Sequence, residues 1–447
     1  MTLEPNSFYI ETYGCTSNKA DSLIISNFLK KANYTETSLE NAEFIIINTC
    51  GVKEQTENKI KARLKNLNKL FGNIHKKHII IAGCLPYIAP GYVDIIKKIV
   101  PSFSAIVDLN RINDISEIFQ EIKKGNKNLI FNAENSIDKS KFLINYPSYK
   151  ITGIIPISEG CEGSCTYCCV KNARGKLNCY NPQNILNNVK YQLNQSIKQI
   201  YFTSQDCSIY SYNGTKLIDL IQKIISLDFK FLLRIGMINP SFLINNLDQL
   251  ISIFKFKKVY QFLHIPIQSG SNKILEKMRR PYLISDIISQ IEILKSKFPN
   301  LTISTDIICG FPGETEYDFH RTINFIKWLK PEILNISKFT GRPGTQAKKM
   351  KQLNSGLIKE RSIRLSRVFR NSLLTINEKW GGWKGEVLVL HEGEKKNQAF
   401  GRNFAYKNIF IDDYNDEYGK FVKVKIIKVE GFNLFGRIIE KNYQLIK

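Results

Sequence analysis

The stretch Ile151-Thr-Gly-Ile-Ile-Pro-Ile-Ser158-Glu-Gly-Cys161-Glu-Gly-Ser-Cys165-Thr-Tyr-Cys168 decides the reading of this chain. An apolar run that reads as a strand leads straight into cysteines spaced C-x₃-C-x₂-C. That spacing lets three thiolates hold three irons of a 4Fe–4S cluster and leaves the fourth iron without a protein ligand. An open iron is what a chelating small molecule needs. Zinc is the alternative, but zinc usually takes four ligands from paired motifs. Cys169 adjoins the motif, its side chain diverges from its neighbour's, and it reads as a bystander that packs as a small hydrophobe.

Working outward, strand candidates recur downstream: QIYFTS, FLLRIG, YQFLHIPI, LTISTDIIC and ILNISKF. With ITGIIPIS they make six βα units in series between about 150 and 345, and predict a full or partial β/α barrel. Such barrels carry their active sites at the C-terminal strand ends, where the cysteine loop falls. The Gly310-Phe-Pro-Gly313-Glu314 turn shapes the loop after the fifth of these strands.

Upstream, strand and helix also alternate, which implies a parallel sheet with covering helices. Cys15, Cys50 and Cys84 share one context there, each ending a strand run: YGC, NTC and AGC. The C-terminal strand ends of an open parallel sheet converge on a crevice, so these thiolates can hold a second cluster. Three buried structural cysteines are the alternative. The polar stretch NAENSIDKSKF reads as a linker.

Beyond the barrel, a helix from about Gly356 to Trp380 leads to a short β-rich region with the runs GEVLVLHEG, QAFGRN, NIFIDD, FVKVKIIKVE and LFGRIIE. They suit a small β-barrel of a kind that often binds RNA. Arg361, Arg364, Arg367 and Arg370 recur every third residue and predict a basic ridge for a phosphate backbone, or simply a solvated helix face. Phe400, Phe404, Tyr406 and Phe410 are candidates for base stacking, with a core role the stronger reading.

The chain has 447 residues, with 64 Lys and Arg against 40 Asp and Glu, a net charge of +24. Such an excess points to a polyanionic partner, against a compositional bias toward Lys, Asn and Ile. No run of about 18 apolar residues is present, which excludes a transmembrane helix. Met1–Ile10 lacks the features of a signal peptide, so a cytoplasmic location is expected. In a reducing cytosol, disulfides are a poor account of ten cysteines,.

These motifs together resemble the radical S-adenosylmethionine (SAM) methylthiotransferases, and the resemblance spans essentially the whole chain. It is carried by both cysteine trios, by HIPIQSGSNKILEKMRRPY (His264–Tyr282), TDIICGFPGETEYDF (Thr305–Phe319) and RPGT (Arg342–Thr345). Within that family ETYGC, CEGSCTYCCVKNARGKL and RIGMINP look most like the archaeal and eukaryotic branch, which acts on N6-threonylcarbamoyladenosine in tRNA. The isopentenyladenosine branch usually has Pro-Tyr where this chain has Lys171-Asn172. Cys169, and the Cys207 stretch TSQDCSIY, depart from the usual pattern. Eukaryotic relatives often add a hydrophobic C-terminal anchor; the sequence up to Lys447 shows none, and a soluble, archaeal-type protein is the expectation.

The resemblance implies an α/β N-terminal domain with cluster ligands at 1–135, a radical SAM β/α (partial) barrel at 147–345, a helical linker at 346–380 and a TRAM-like β domain at 381–447. It implies two 4Fe–4S clusters and SAM as cofactors, with metal ligands Cys15, Cys50, Cys84, Cys161, Cys165 and Cys168, the last three catalytic. SAM bound to the open iron would yield a radical that activates C2 of the adenine, and the second cluster would deliver methylated sulfur. Strand-end candidates for SAM contacts are Gln205, Asp206, Arg234, Gln268, Ser269 and Asp306, each with a structural hydrogen bond or salt bridge as the alternative. The expected partners are tRNA and a flavodoxin- or ferredoxin-like electron donor, with no membrane and a monomeric chain. Two competing readings are a methylthiotransferase for isopentenyladenosine tRNA or a ribosomal protein, and a non-catalytic metal-binding RNA-binding module.

Overall fold

Phe44, Ile45, Ile46 and Ile47 are completely buried, as an unbroken apolar run must be when helices cover both faces of a parallel sheet. In the computed structural model, which describes residues 4–440 apart from 73 and 75, this run lies in the strand Ala42–Thr49. Residues 1–3 and 441–447, with the chain end at Lys447, lie outside the described residues. The sheet has six parallel strands in the order Thr35–Glu36, Glu4–Thr12, Ala42–Thr49, His78–Gly83, Ala105–Val107 and Leu129–Phe131. The strand period of two divides the run: Ile45 and Ile47 face Ile60 and Leu64, while Phe44 and Ile46 face Ile24, Ile25 and Phe119,. The helix Glu54–Phe71 buries Ile60, Leu64, Leu67 and Phe71, a single stripe at helical spacing,.

The connection to the barrel is not a loose linker. Lys139 and Ser140 sit in a short helical turn, Lys139–Lys141, and are buried. Asn188 Nδ2 donates to Ser140 O at 2.8 Å and to Phe142 O at 3.0 Å, pinning the turn to the helix Pro182–Asn194.

The central region is an open β/α barrel, as the alternating pattern implies. Strands Thr152–Pro156, Gln199–Thr203 and Leu232–Arg234 form one parallel sheet, and Phe262–His264, Thr302–Cys309 and Ile333–Lys338 a second. A bridge between Leu233 and Val259 joins the two. The helix Ser355–Ile376 closes over the last strand, its first turn capped by Asn354 Oδ1, which accepts from Gly356 N at 2.8 Å,.

The C-terminal region is a closed five-stranded barrel in the order Lys384–Glu392, Ala399–Asn403, Asn408–Ile411, Asn433–Glu440 and Phe421–Glu430. It packs under the N-terminal ends of the central strands: Gln261 N donates to Phe404 O at 2.9 Å and Thr302 Oγ1 to Ala405 O at 2.7 Å. The face of the central barrel that carries the cysteine loop is the opposite one. Tyr406, Phe400 and Phe410 pack in this floor interface with Ile151, Leu232, Tyr260 and Phe262, and Phe404 is partly buried against Trp380. The core role holds for them, and none is free to stack on a base.

Candidate active site

Each of Cys15, Cys50 and Cys84 follows a strand of the N-terminal sheet, within three residues of its end. Two glycines let the strand ends crowd together. At Gly14 (φ +107°) a Cβ would lie 2.7 Å from Cys50 Cβ and 2.9 Å from Cys50 Sγ; at Gly83 (φ +95°) it would lie 2.3 Å from Thr49 O,. Asn18 stands between two of the thiols, with Oδ1 3.4 Å from Cys15 Sγ and 4.0 Å from Cys84 Sγ. Its amide is fixed by Thr49 O at 2.8 Å. Burial pushes the Cys84 thiol up to about 12 and raises that of Cys50, so an entering metal must displace their protons.

The second trio lies on the loop after the first barrel strand. Gly163 N donates to Cys161 Sγ at 3.2 Å, and Cys168 N to Cys165 O at 3.2 Å. The loop is held from below: Thr166 Oγ1 donates to Lys277 O at 2.8 Å, and Tyr167 meets the edge of Phe311. Arg280, nearly buried, points Nη1 at Cys165 Sγ at 3.5 Å and anchors Nη2 on Pro266 O at 3.0 Å. Two sets of three thiols, and glycine cradles where a side chain would collide with sulfur, fit the donor set of two iron–sulfur clusters.

Between the trios the two domains are locked together. Cys169 packs as a small hydrophobe, and it does so in the core of the N-terminal domain, with Sγ 3.3 Å from Gly51 O, beside Cys50. The cysteine motif thus contributes one residue to the core of the neighbouring domain. Asn172 Nδ2 donates to Ile88 O at 2.9 Å. Arg342, from the RPGT stretch, donates Nη2 to Gly51 O at 2.7 Å and pairs with Glu57, which also accepts from Tyr92.

Beneath Cys84 lies a buried charge box. Arg174 Nη2 donates to Asp21 Oδ2 at 2.8 Å and Nη1 to Glu159; Lys139 Nζ reaches both carboxylates at 2.9 Å. Burial raises the Asp21 carboxyl, but Lys139 and Arg174 outweigh it and hold it below the usual carboxylate range,. Arg174 Nε donates to Cys84 Sγ at 3.2 Å. Sequence reading missed Arg174, Arg280 and Arg342, although each stands in a stretch singled out for other reasons.

The six strand-end candidates do not gather at one point. Asp206 is buried and caps its own loop, accepting from Ser208 N at 3.0 Å. Gln205 accepts from Gly160 N at 2.7 Å, at the root of the cysteine loop. Ser269 is buried and serves Ser271 N at 3.2 Å. Arg234 lies in the barrel interior among the rings of Tyr201, Phe262 and Tyr406, toward the floor. Asp306 pairs with His264 at 2.6 Å, and Gln268, half-buried with φ +73°, receives Ile308 N at 2.9 Å.

Comparisons agree with this geometry. Residues 155–326 match the Radical SAM superfamily, 7–106 the uncharacterized protein family UPF0004 and 382–439 the TRAM domain. The chain is 36% identical over 436 residues, 96% of its length and 99% of the relative's, to the probable threonylcarbamoyladenosine tRNA methylthiotransferase of Pyrococcus horikoshii. It is 34% identical to the like-named protein of Archaeoglobus fulgidus, over 97% of this chain and 99% of that one. The chain belongs to the threonylcarbamoyladenosine tRNA methylthiotransferase family. The Drosophila melanogaster member is 29% identical over 97% of this chain and 77% of its own. Among solved structures, the radical SAM methyltransferase TsrM of Kitasatospora setae is similar at a TM-score of 0.55 over 74% of each chain. At 12% identity that likeness concerns the fold alone. Members of this family are radical SAM transferases that use SAM and 4Fe–4S clusters.

The basic ridge needs a correction. Arg361 is buried and donates to Glu314 Oε2 at 2.7 Å, and Arg364 pairs with Glu316 at 2.7 Å. Arg367 and Arg370 are exposed. The ridge is therefore half structural.

Proposed function

We propose that this chain converts N6-threonylcarbamoyladenosine to its 2-methylthio derivative at position 37 of tRNAs reading ANN codons. The observation that carries the reading is the pair of cysteine trios held on one interdomain seam by Cys169, Arg174 and Arg342. Family membership over nearly the full length of both chains supports the substrate.

In this reading Cys161, Cys165 and Cys168 hold the cluster that binds SAM, and Cys15, Cys50 and Cys84 hold the second. Bound, these cofactors supply the radical that activates C2 of the adenine and the sulfur that replaces its hydrogen. The chain's own task is placement and exclusion of water. Arg280 steadies Cys165, and Cys169 and Asn172 fix the cysteine loop against the N-terminal domain. Of the strand-end candidates, Gln268 and Asp306 are the ones we carry forward as SAM contacts. A left-handed non-glycine residue at a barrel mouth costs on the order of 1 kcal/mol, and such residues cluster at ligand sites. Gln205 acts by holding Gly160. A low-potential flavodoxin- or ferredoxin-like donor, a monomeric state and a cytoplasmic location complete the proposal. Among the described residues no helix is long and apolar enough to cross a membrane.

The test is nucleoside mass spectrometry on tRNA from cells with and without the gene. Loss of 2-methylthio-N6-threonylcarbamoyladenosine alone is the expected result. Loss of the isopentenyl counterpart would overturn the substrate, and no change in any methylthio nucleoside would overturn the tRNA reading in favour of a protein substrate or a non-catalytic role.

A further inference from the structure

Arg174 belongs to the cysteine loop of the central barrel, six residues after Cys168, yet its side chain ends under a thiol of the N-terminal domain. Its side chain is 3% exposed. The terminal nitrogens serve Asp21, Glu159 and Asn18, the last at 3.2 Å. Nε is left to donate to Cys84 Sγ at 3.2 Å.

The box beneath Cys84 is electrically complete without the thiol, since Asp21 and Glu159 balance Lys139 and Arg174. A second lysine would satisfy that balance. The planar fork of an arginine adds a third direction, toward sulfur, with the other nitrogens still engaged. A hydrogen bond donated to a ligating sulfur withdraws charge from the iron–thiolate bond. It stabilises the reduced, more negative cluster and raises its reduction potential.

We propose that Arg174 is a positioning residue for the N-terminal cluster: through Cys84 it raises that cluster's reduction potential, and it ties the Cys84 thiolate to the loop that carries Cys161, Cys165 and Cys168. The proposal rests on the reading above in one respect, that Cys15, Cys50 and Cys84 bind a cluster. An iron count on the unmutated chain tests that point separately. About eight irons per chain uphold it, and about four would fail the reading rather than the role of Arg174.

The experiment is a redox titration of the full-length, iron-loaded chain, followed by electron paramagnetic resonance, with R174K beside the unmutated protein. Lysine keeps the positive charge and lacks the guanidinium Nε–H. A chain with Cys161, Cys165 and Cys168 replaced by Ala assigns the N-terminal signal. In R174K the reduced-to-oxidised ratio of the N-terminal cluster should fall about tenfold at a fixed potential, equivalent to about 59 mV for one electron. Its iron–thiolate Raman bands should move to higher frequency, and the midpoint of the SAM-binding cluster should stay in place. An unchanged N-terminal midpoint at equal iron content would overturn the proposal, as would a common shift of both clusters. If R174K does not load iron at that site, R174Q takes its place with the same two outcomes. Failure of both to load there, with the Cys161 site fully loaded, would refute the redox role and leave Arg174 an assembly residue.

Discussion

The phenol oxygens of Tyr201 and Tyr406 stand 2.5 Å apart, and this contact fastens the C-terminal barrel to the floor of the central one. Tyr406 adopts a left-handed conformation (φ +60°) to get there. Its ring lies 4.6 Å from that of Phe262 and 5.0 Å from that of Tyr260, with the Arg402 guanidinium 3.8 Å from its centre. Tyr406→Ala should destabilise the chain by about 3–5 kcal/mol, as for other buried aromatic truncations. Tyr406→Phe should cost about 1 kcal/mol, the net worth of one hydrogen bond. Urea unfolding followed through Trp380 and Trp383 measures both, and coincident midpoints for Ala and unmutated chains would refute this fastening role for Tyr406.

The two trios should load independently. Cys84→Ala or Cys50→Ala should halve the iron and acid-labile sulfide content, from about eight to about four per chain, as should Cys165→Ala at the other site. SAM should perturb the magnetic resonance spectrum of the Cys84 variant and leave that of the Cys165 variant unchanged. A spectrum of the Cys84 variant that ignores SAM would reverse the assignment of the open iron.

Lys407 gives a pH signature. Burial pushes its ammonium down to about 8, against a partial offset from Glu332 at 3.6 Å. The unfolded chain keeps the ordinary value of 10.5. Between those two values the unfolded state binds more protons, so stability rises with pH there. The burial cost is present in full below pH 8 and is gone above 10.5. The stability of Lys407→Met relative to the unmutated chain should therefore drop by about 3 kcal/mol between pH 7 and pH 10.5. Paired denaturation curves at the two pH values measure it, and a constant difference would contradict the shift.

Arg367 and Arg370 are the members of the helical ridge that face solvent. If they meet phosphates, R367Q/R370Q should weaken tRNA binding at low salt and lower the slope of log affinity against log salt by about two. Fluorescence anisotropy across a salt series reads the slope. An unaltered slope would make this helix face a solvated surface only.

The broad plan was legible in the sequence because its signals are local. A run such as Phe44–Ile47 announces a doubly covered strand, and a cysteine after each run announces a shared edge. The six barrel strands and the closed terminal barrel follow from the same periodicities. What escaped was short or long-range. Ala105–Val107 and Leu129–Phe131 are three-residue strands without the longer apolar runs that mark the equally short Leu232–Arg234 and Phe262–His264,. Arg361 looked like surface charge because its partner Glu314 is 47 positions away and nothing local hints at the pairing. Cys169 borders a metal motif by sequence and fills another domain's core by geometry. Arg174 was invisible for the same reason: its four partners come from three separate segments of the chain.

That arrangement has a bearing on descent. Asp21 belongs to one domain, Lys139 to the connection, and Glu159 and Arg174 to another, yet they close a single box with no water-facing member. Breaking one partner of such a set strands the others, at a cost of about 3–5 kcal/mol. The two halves of this enzyme cannot be traded piecemeal: a chimera that takes its first domain from another lineage must carry a matching residue at position 21 or lose the fit at 174. Asp21, Lys139, Glu159 and Arg174 are matched to one another, so a hybrid chain keeps this contact only where its two parents agree at these four positions.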